Sequence, residues 1–242
     1  MTNLPIRGRR PYSVSPDGEA DLPFRVRLAR SEADLNRVIA LRATAYSRHV
    51  AGVANSLSRA EEDDFRDDAL IFMAEDKATG EVIGSLRLIR NRIGPLRIES
   101  ETPLPHLFRG KHLAEARRLT IVGGAQGRAV SPALSKVLYE TCFALGVDHL
   151  LITARAPVDR LYRLMRFEDA LDGQLLQLPD VGHIPHRLLY LPIQQADAIW
   201  RQSQCPLYPF MAQTLHPDIL VRADDLAPLR NPLAAASALA AE

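Results

Sequence analysis

Residues 115–128 read Glu-Ala-Arg-Arg-Leu-Thr-Ile-Val-Gly-Gly-Ala-Gln-Gly-Arg, and Ser131-Pro132 follow closely. The segment 115–122 begins polar and ends apolar, and reads as a strand. Gly123, Gly124 and Gly127 then open into a helix, with Ser131 suited to its N-cap and Pro132 to its first helical position. Leu134, Val137, Leu138, Thr141, Cys142 and Leu145 fall on one stripe at helical spacing, and Gly146 ends the helix. A glycine turn between a strand and a helix N-terminus also makes an anion site, because unpaired N–H groups and the helix dipole converge there.

The pattern continues on both sides. Downstream, Val147–Ala154 is an apolar strand. A helix starts near Pro157 with Val158, Leu161, Tyr162 and Met165 on its inward stripe, and Arg187–Leu191 is a further strand. The final third holds the aromatic residues Trp200, Tyr208 and Phe210. Upstream, Phe24–Leu28 is a short alternating segment, and Ser31 is a plausible N-cap for a helix carrying Leu35, Val38, Ile39, Arg42 and Tyr46 on one stripe. Strands Leu70–Glu75 and Glu81–Ile89 flank a Lys-Ala-Thr-Gly turn and form a hairpin. Residues 90–113 are irregular and read as a long functional loop. The element order predicts an α/β fold with a central mixed sheet.

With 242 residues, one α/β domain over 24–227 is the economical division. It would be preceded by a mobile arm (1–23) and followed by an alanine-rich tail (228–242). There is no apolar run of about 18 residues to cross a bilayer, and no apolar core in the first residues to act as a secretory signal. Only Cys142 and Cys205 occur, without metal-ligand spacing, so a reducing compartment, the cytoplasm, is expected. A net charge of +1 gives no overall field for nucleic acid. Arginines far outnumber lysines, and an arginine-rich face suits a localised anionic partner, although composition alone also produces that bias.

Several charges fall where apolar groups belong. Arg42 lies on or beside the inward stripe of its helix, as a snorkelling side chain or as a functional charge. Arg87 interrupts an apolar strand on which Val82, Leu86 and Leu88 share one face and Ile83, Ser85, Arg87 and Ile89 the other. Glu61 to Asp68 is an acidic run of the kind usually found in a solvated turn. Parity puts Glu115 and Arg117 on one face and Arg118 on the other, so Arg118 needs a bulge to join them.

Arg42, Asp64, Asp67, the segment Gly-Ser-Leu-Arg87-Leu and the segment Glu115-Ala-Arg-Arg118-Leu together resemble the pattern shared by autoinducer (acyl-homoserine-lactone) synthases and FeeM-type N-acyl amino acid synthases. The resemblance covers roughly residues 25–195. No tryptophan lies in 43–60, where autoinducer synthases generally carry one. Leu-Tyr139-Glu, Ala154–Phe167 and Pro185-His186 look more like FeeM relatives. The resemblance implies a GNAT-like acyltransferase whose mixed, mostly antiparallel sheet is flanked by helices. It implies acyl carrier protein as donor, an acyl-phosphopantetheine thioester with acyl-CoA as the other form, and an amino acid as acceptor. No permanently bound cofactor is implied.

Thioester aminolysis needs a neutral amine, oxyanion stabilisation and a proton acceptor. Glu115 is the candidate base, its alternative being a salt bridge with Arg117 or Arg118. Tyr162 stands where many enzymes of this class carry a tyrosine that protonates the leaving thiolate; core packing is its other reading. Arg42, Asp64, Asp67, Arg87 and Arg118 would line the amine pocket as a charge network, or merely order the N-terminal region. Arg128, with Gly124, Gly127 and Arg155, is the candidate for the phosphopantetheine, and Arg90, Arg92, Arg155 and Arg160 for a carrier-docking rim. His183, His186 and His216 are not spaced as metal ligands. A lactone synthase, an acetyl-CoA-dependent enzyme, or a non-catalytic acyl-carrier or metabolite-binding module are the competing readings.

Overall fold

A computed structural model describes residues 21–47 and 58–221, together with Leu226 and Leu233. Residues 1–20 of the expected arm, and all of the expected tail except Leu233, lie outside the described residues, as does the side chain of Tyr46.

The strands are β1 (Phe24–Leu28), β2 (Ala69–Asp76), β3 (Val82–Arg90), β4 (Leu113–Ile121), β5 (His149–Ala154), β6 (Glu168–Asp169), β7 (Leu175–Gln177) and β8 (Pro185–Pro192). They form one sheet in the order β1-β2-β3-β4-β5-β8-β6, with β7 also on β8. Among these strands β4 and β5 alone pair in parallel, and the other pairings between them are antiparallel. The expected mixed, mostly antiparallel sheet is therefore present, and sequence reading missed only the two short strands β6 and β7.

Helix α1 (Glu32–Ser47) begins at Ser31, whose Oγ accepts from the Asp34 amide at 3.1 Å. Its Leu35, Val38 and Ile39 pack with Ile71 and Met73 on one face of the sheet. Helix α2 (Ala125–Ala144) covers the other face, where alternate residues of β1 to β5 meet Leu134, Val137, Leu138 and Cys142. The helices α3 (Asp159–Leu164) and α4 (Ala196–Gln202) complete that side, with Trp200 fully buried against Tyr139 and donating from Nε1 to the Met165 carbonyl at 2.7 Å. The segment 91–112 has its own small core of Leu96, Ile98 and Phe108, and roofs the sheet beside α1.

Three local expectations need correction. Helix α2 starts at Ala125, after Gly124 at φ +89°, so Ser131 is not its cap and Pro132 lies inside it. Pro132 falls in the interior of the helix, where its ring nitrogen cannot donate the hydrogen bond that an amide at this position would give to the Arg128 carbonyl. Ile83, not Val82, shares the α2 face with Leu86 and Leu88, because a register shift at Ala74/Glu75 leaves Ile83 unpaired and reverses the parity before Gly84. Gly84 itself faces α2 so closely that a Cβ would lie 2.4 Å from Val130. Val158 is 41% exposed rather than inward, since α3 is short and begins only at Asp159.

Candidate active site

β4 and β5 stay paired from Leu113↔His149 to Ala116↔Ile152 and then diverge. The cleft that opens between them, about 140 Å³, is lined by Arg117, Arg118, Leu119, Thr153, Arg155, Val158, Tyr162 and His186 among others. A void of that size accepts a group as large as benzene. Tyr162 is 4% exposed, lies edge-on to Phe167, and also borders a small apolar void behind it with Met165, Trp200 and Met211.

The arginines on the cleft wall reach it through a bulge. Arg87 pairs with Arg117 and Ser85 with Thr120, so Arg118 and Leu119 together oppose Leu86. Arg118 takes φ +56°, a conformation disfavoured for a long side chain. The extra residue turns it onto the side of Arg117, as the sequence parity required. Both guanidinium groups then bind Asp180, Arg118 at 3.1 Å and Arg117 more closely.

From Arg118 an unbroken ladder of ion pairs runs under α1. Arg118 binds Glu61 through Nε (2.8 Å) and Nη2 (2.5 Å), and Glu61 Oε2 is 3.0 Å from Arg87 Nη1. Arg87 continues to Asp63 at 3.2 Å and to Asp64 at 2.8 Å, and Asp64 takes Arg42 Nη1 on both oxygens at 3.0 and 2.9 Å. Arg42 and Arg87 are 1% and 0% exposed, a depth at which a cation needs partners to persist. Burial still pulls the Arg42 pKa down, with Asp64 opposing it and Arg87 adding to it. For Glu61, burial pushes the pKa up, but Arg118, Arg87 and Arg42 outweigh it and hold the carboxyl at about 2. Asp180 is likewise held low by Arg117 and Arg118 against its burial.

Asp67 does not join this ladder: it is exposed. The 3₁₀ turn Glu62–Phe65 closes with the Glu61 amide donating to Asp64 Oδ2 at 2.9 Å, which turns Glu61, Asp63 and Asp64 inward. The chain then extends at Arg66, and the next inward carboxylate is Asp68, bound to Arg66 at 2.9 Å. Sequence reading took the spaced pair Asp64/Asp67 and missed Glu61 and Asp63 in the same acidic run. Asp180 carries no sequence signal at all; the turn after β7 brings it to the arginines.

Glu115 is fully buried, with Oε1 on Arg117 at 2.8 Å and Oε2 accepting the Ile98 amide at 3.1 Å. It lies under the 91–112 roof and does not line the cleft. The carboxylate thus orients Arg117 and anchors the roof.

The expected docking rim divides. Arg155 lines the cleft and Arg160 is exposed beside it on α3. Arg90 is 6% exposed, and it sits with Arg92 at the end of β3 where β4 begins, away from the opening, because β3 and β4 run antiparallel. Arg163 is also exposed on α3 and is absent from the sequence reading. Arg128 is exposed in the first turn of α2. Gly127 is committed to packing: a Cβ would fall 2.1 Å from the Val122 carbonyl, so only glycine lets the helix start this close to β4.

Among the described residues no group of three His, Cys, Asp or Glu side chains could hold a metal ion, and no helix is long and apolar enough to cross a membrane. Both cysteines are buried, and burial raises the Cys142 thiol to about 12.

Comparison with known structures gives the same architecture. FeeM, an N-acyl amino acid synthase from uncultured soil microbes, matches with a TM-score of 0.56 at 15% identity, over 74% of this chain and 96% of that one. The CoA-dependent acyl-homoserine lactone synthase BjaI, solved with SAM and isopentyl-CoA, matches at 0.53 and 15% identity over 85% of this chain and 98% of its own. Escherichia coli ElaA matches at 0.50 and 14% identity over 69% and 98%. At these identities the likeness is one of fold, the GNAT acyltransferase fold expected from the sequence. No curated protein matches the sequence. The family model of the N-acyl amino acid synthase FeeM, however, matches residues 37–189, a span that holds the whole ion-pair ladder, the bulge and the cleft: the chain belongs to the FeeM family and is an acyltransferase.

Proposed function

We propose that the protein moves a fatty acyl group from the phosphopantetheine thioester of acyl carrier protein to the α-amine of an amino acid, in the cytoplasm. The observation that carries this reading is the cleft between the diverging ends of β4 and β5, walled by Arg117, Arg118, Arg155 and Tyr162. Arg117 and Arg118 are neutralised by Glu115, Glu61 and Asp180, whereas Arg155 makes no ion pair among the described residues. Arg155 is therefore the group that takes the acceptor's carboxylate, in the bidentate manner of a guanidinium. Arg42, Asp64 and Arg87 act at a distance, by fixing Glu61 and through it Arg118. Glu115 fixes Arg117. Tyr162 protonates the departing thiolate.

The donor's phosphopantetheine enters over the start of α2, past Gly124 and Arg128. Arg160 and Arg163 offer the acidic carrier an exposed cationic surface beside the opening. The bulge withdraws Leu119 from regular pairing and leaves local backbone polarity to meet the oxyanion.

The test is incubation with acyl carrier protein thioesters and, in parallel, acyl-CoA, each with pooled amino acids, followed by mass spectrometry. An N-acyl amino acid formed from the carrier thioester is the expected product. Turnover of acyl-CoA alone would replace the carrier as donor; a lactone product would replace the acceptor; no product from any pair would leave a binding module.

A further inference from the structure

We infer that His186 is the general base of the reaction, accepting on Nε2 the proton that the attacking amine must lose. This rests on the acyl-transfer reading above and supplies the proton acceptor that the buried, doubly engaged Glu115 does not.

His186 lies on β8, where it pairs with Leu176 of β7, and its ring is part of the cleft wall with Tyr162, Arg155, Arg117 and Arg118. Its Nδ1 is 2.6 Å from the Ile184 carbonyl oxygen. A carbonyl only accepts, so Nδ1 carries the hydrogen and the lone pair stays on Nε2. Nε2 makes no hydrogen bond among the described residues. The tautomer is thus set by the backbone two residues away, and the basic nitrogen is left to the cleft.

The surroundings keep the ring neutral. Burial lowers its pKa below the ordinary 6.5, and the cations Arg155 and Arg117 push the same way. The Ile184 carbonyl and Asp180 oppose them without reversing the outcome. Arg118 and the Tyr162 hydroxyl are the remaining titratable groups on the cleft wall, from β4 and α3. A neutral imidazole at pH 7 is a base ready to act.

The proton balance closes without a further reactant. The neutral amine attacks the thioester carbon, forming the C–N bond and leaving positive charge on nitrogen and negative charge on oxygen. His186 Nε2 takes one N–H proton from that nitrogen, which is far more acidic once its lone pair is committed to the thioester carbon and it carries positive charge. Collapse of the oxyanion breaks the C–S bond, and the thiolate takes a proton from Tyr162. The imidazolium then returns its proton to the tyrosinate, directly or through solvent. The products are the amide and the free thiol.

The decisive variant is His186→Gln, with the melting temperature as the check on folding and His186→Ala plus added imidazole as a second arm. The expected outcome is a fall in kcat of about 100-fold or more, KM within about threefold of wild type, loss of the wild-type acid limb below pH 6.5, and partial recovery of His186→Ala by imidazole. A purely structural role would lower the melting temperature and leave the acid limb in place, which overturns the inference. The nitrogen shifts of the His186 ring in the wild-type protein add a readout that needs no substrate: an Nδ1–H tautomer is expected at neutral pH, and an Nε2–H tautomer overturns it. A wild type that turns over no donor–acceptor pair overturns the acyl-transfer reading and this inference with it. An active wild type beside an unimpaired His186→Gln overturns this inference alone.

Discussion

The arginines under α1 and those around the mouth of the cleft are the same residue type in opposite circumstances. Arg42 and Arg87 are sealed from water and meet Glu61, Asp63 and Asp64 at 2.8 to 3.2 Å. Arg155 lines the cleft and Arg160 and Arg163 are exposed on α3, none of them with an ion pair among the described residues. Where every guanidinium is matched to a carboxylate, the charge serves position: it fixes where the next residue of the ladder sits. Where it is unmatched and open, it is available to a ligand. The first region should therefore answer to mutation in stability and the second in kinetics.

The largest effect is expected at the deepest carboxylate. Asp64→Ala removes the carboxylate that pairs with Arg42 and one of those that pair with Arg87, leaving cations buried without full compensation. Such a break costs about 3–5 kcal/mol. In a chain of this length that lowers the melting temperature by roughly 10 °C, measurable by calorimetry. A variant that melts like wild type would mean that the seam is not structural.

Acid should open the same region more gently. The Glu61 carboxyl titrates at about 2 in the folded chain against an ordinary 4.5. Because the folded value is the lower one, the stabilisation is fully present above pH 4.5 and is lost as pH falls towards 2. With 23% of its side chain exposed, a discounted loss of roughly 2 kcal/mol is reasonable. Urea melts between pH 5 and 2 should show it, and Glu61→Gln should flatten that slope.

The mouth answers differently. Arg155→Ala should leave the melting temperature within about a degree, since the side chain holds nothing in place. It should lower kcat/KM for the amino acid acceptor by about 10–30-fold, the worth of one charge-assisted contact. A loss confined to the carrier thioester would move Arg155 to the donor side.

The two regions also differ in how far they can be read without coordinates. The strand, glycine turn and helix at 115–144, the hairpin and the inward Arg42 are local patterns of period and punctuation, and they stand in the sequence. The need for a bulge at Arg118 is legible too, because parity is arithmetic. Partners are not. Asp180 joins Arg117 from a turn some sixty residues away, and Glu115 is committed to the Ile98 amide by a roof whose path no periodicity describes. His186 shows only a Pro-His pair; its chemistry depends on a carbonyl two residues back and on a cleft that opens where the neighbouring strand β5 parts from β4. Burial-dependent chemistry of this kind belongs to tertiary structure.

The smallest expected effect separates the two carboxylates that sequence spacing places together. Asp64 and Asp67 lie three residues apart, yet the 3₁₀ turn ends between them and only Asp64 points inward. Asp67→Ala removes an exposed carboxylate with no described partner. Its stability should change by less than about 0.5 kcal/mol, in the range of ordinary surface substitutions, and kcat/KM should stay within about twofold. Measured beside Asp64→Ala, it asks whether the acidic motif acts as a spaced pair or through the turn that selects Glu61, Asp63 and Asp64. A large kinetic loss at Asp67 with unchanged melting would place a substrate contact on this outer side of the turn and shift the amine pocket towards it. Silence there leaves the ladder as the motif's whole purpose, and the cleft arginines as the place where substrate is met.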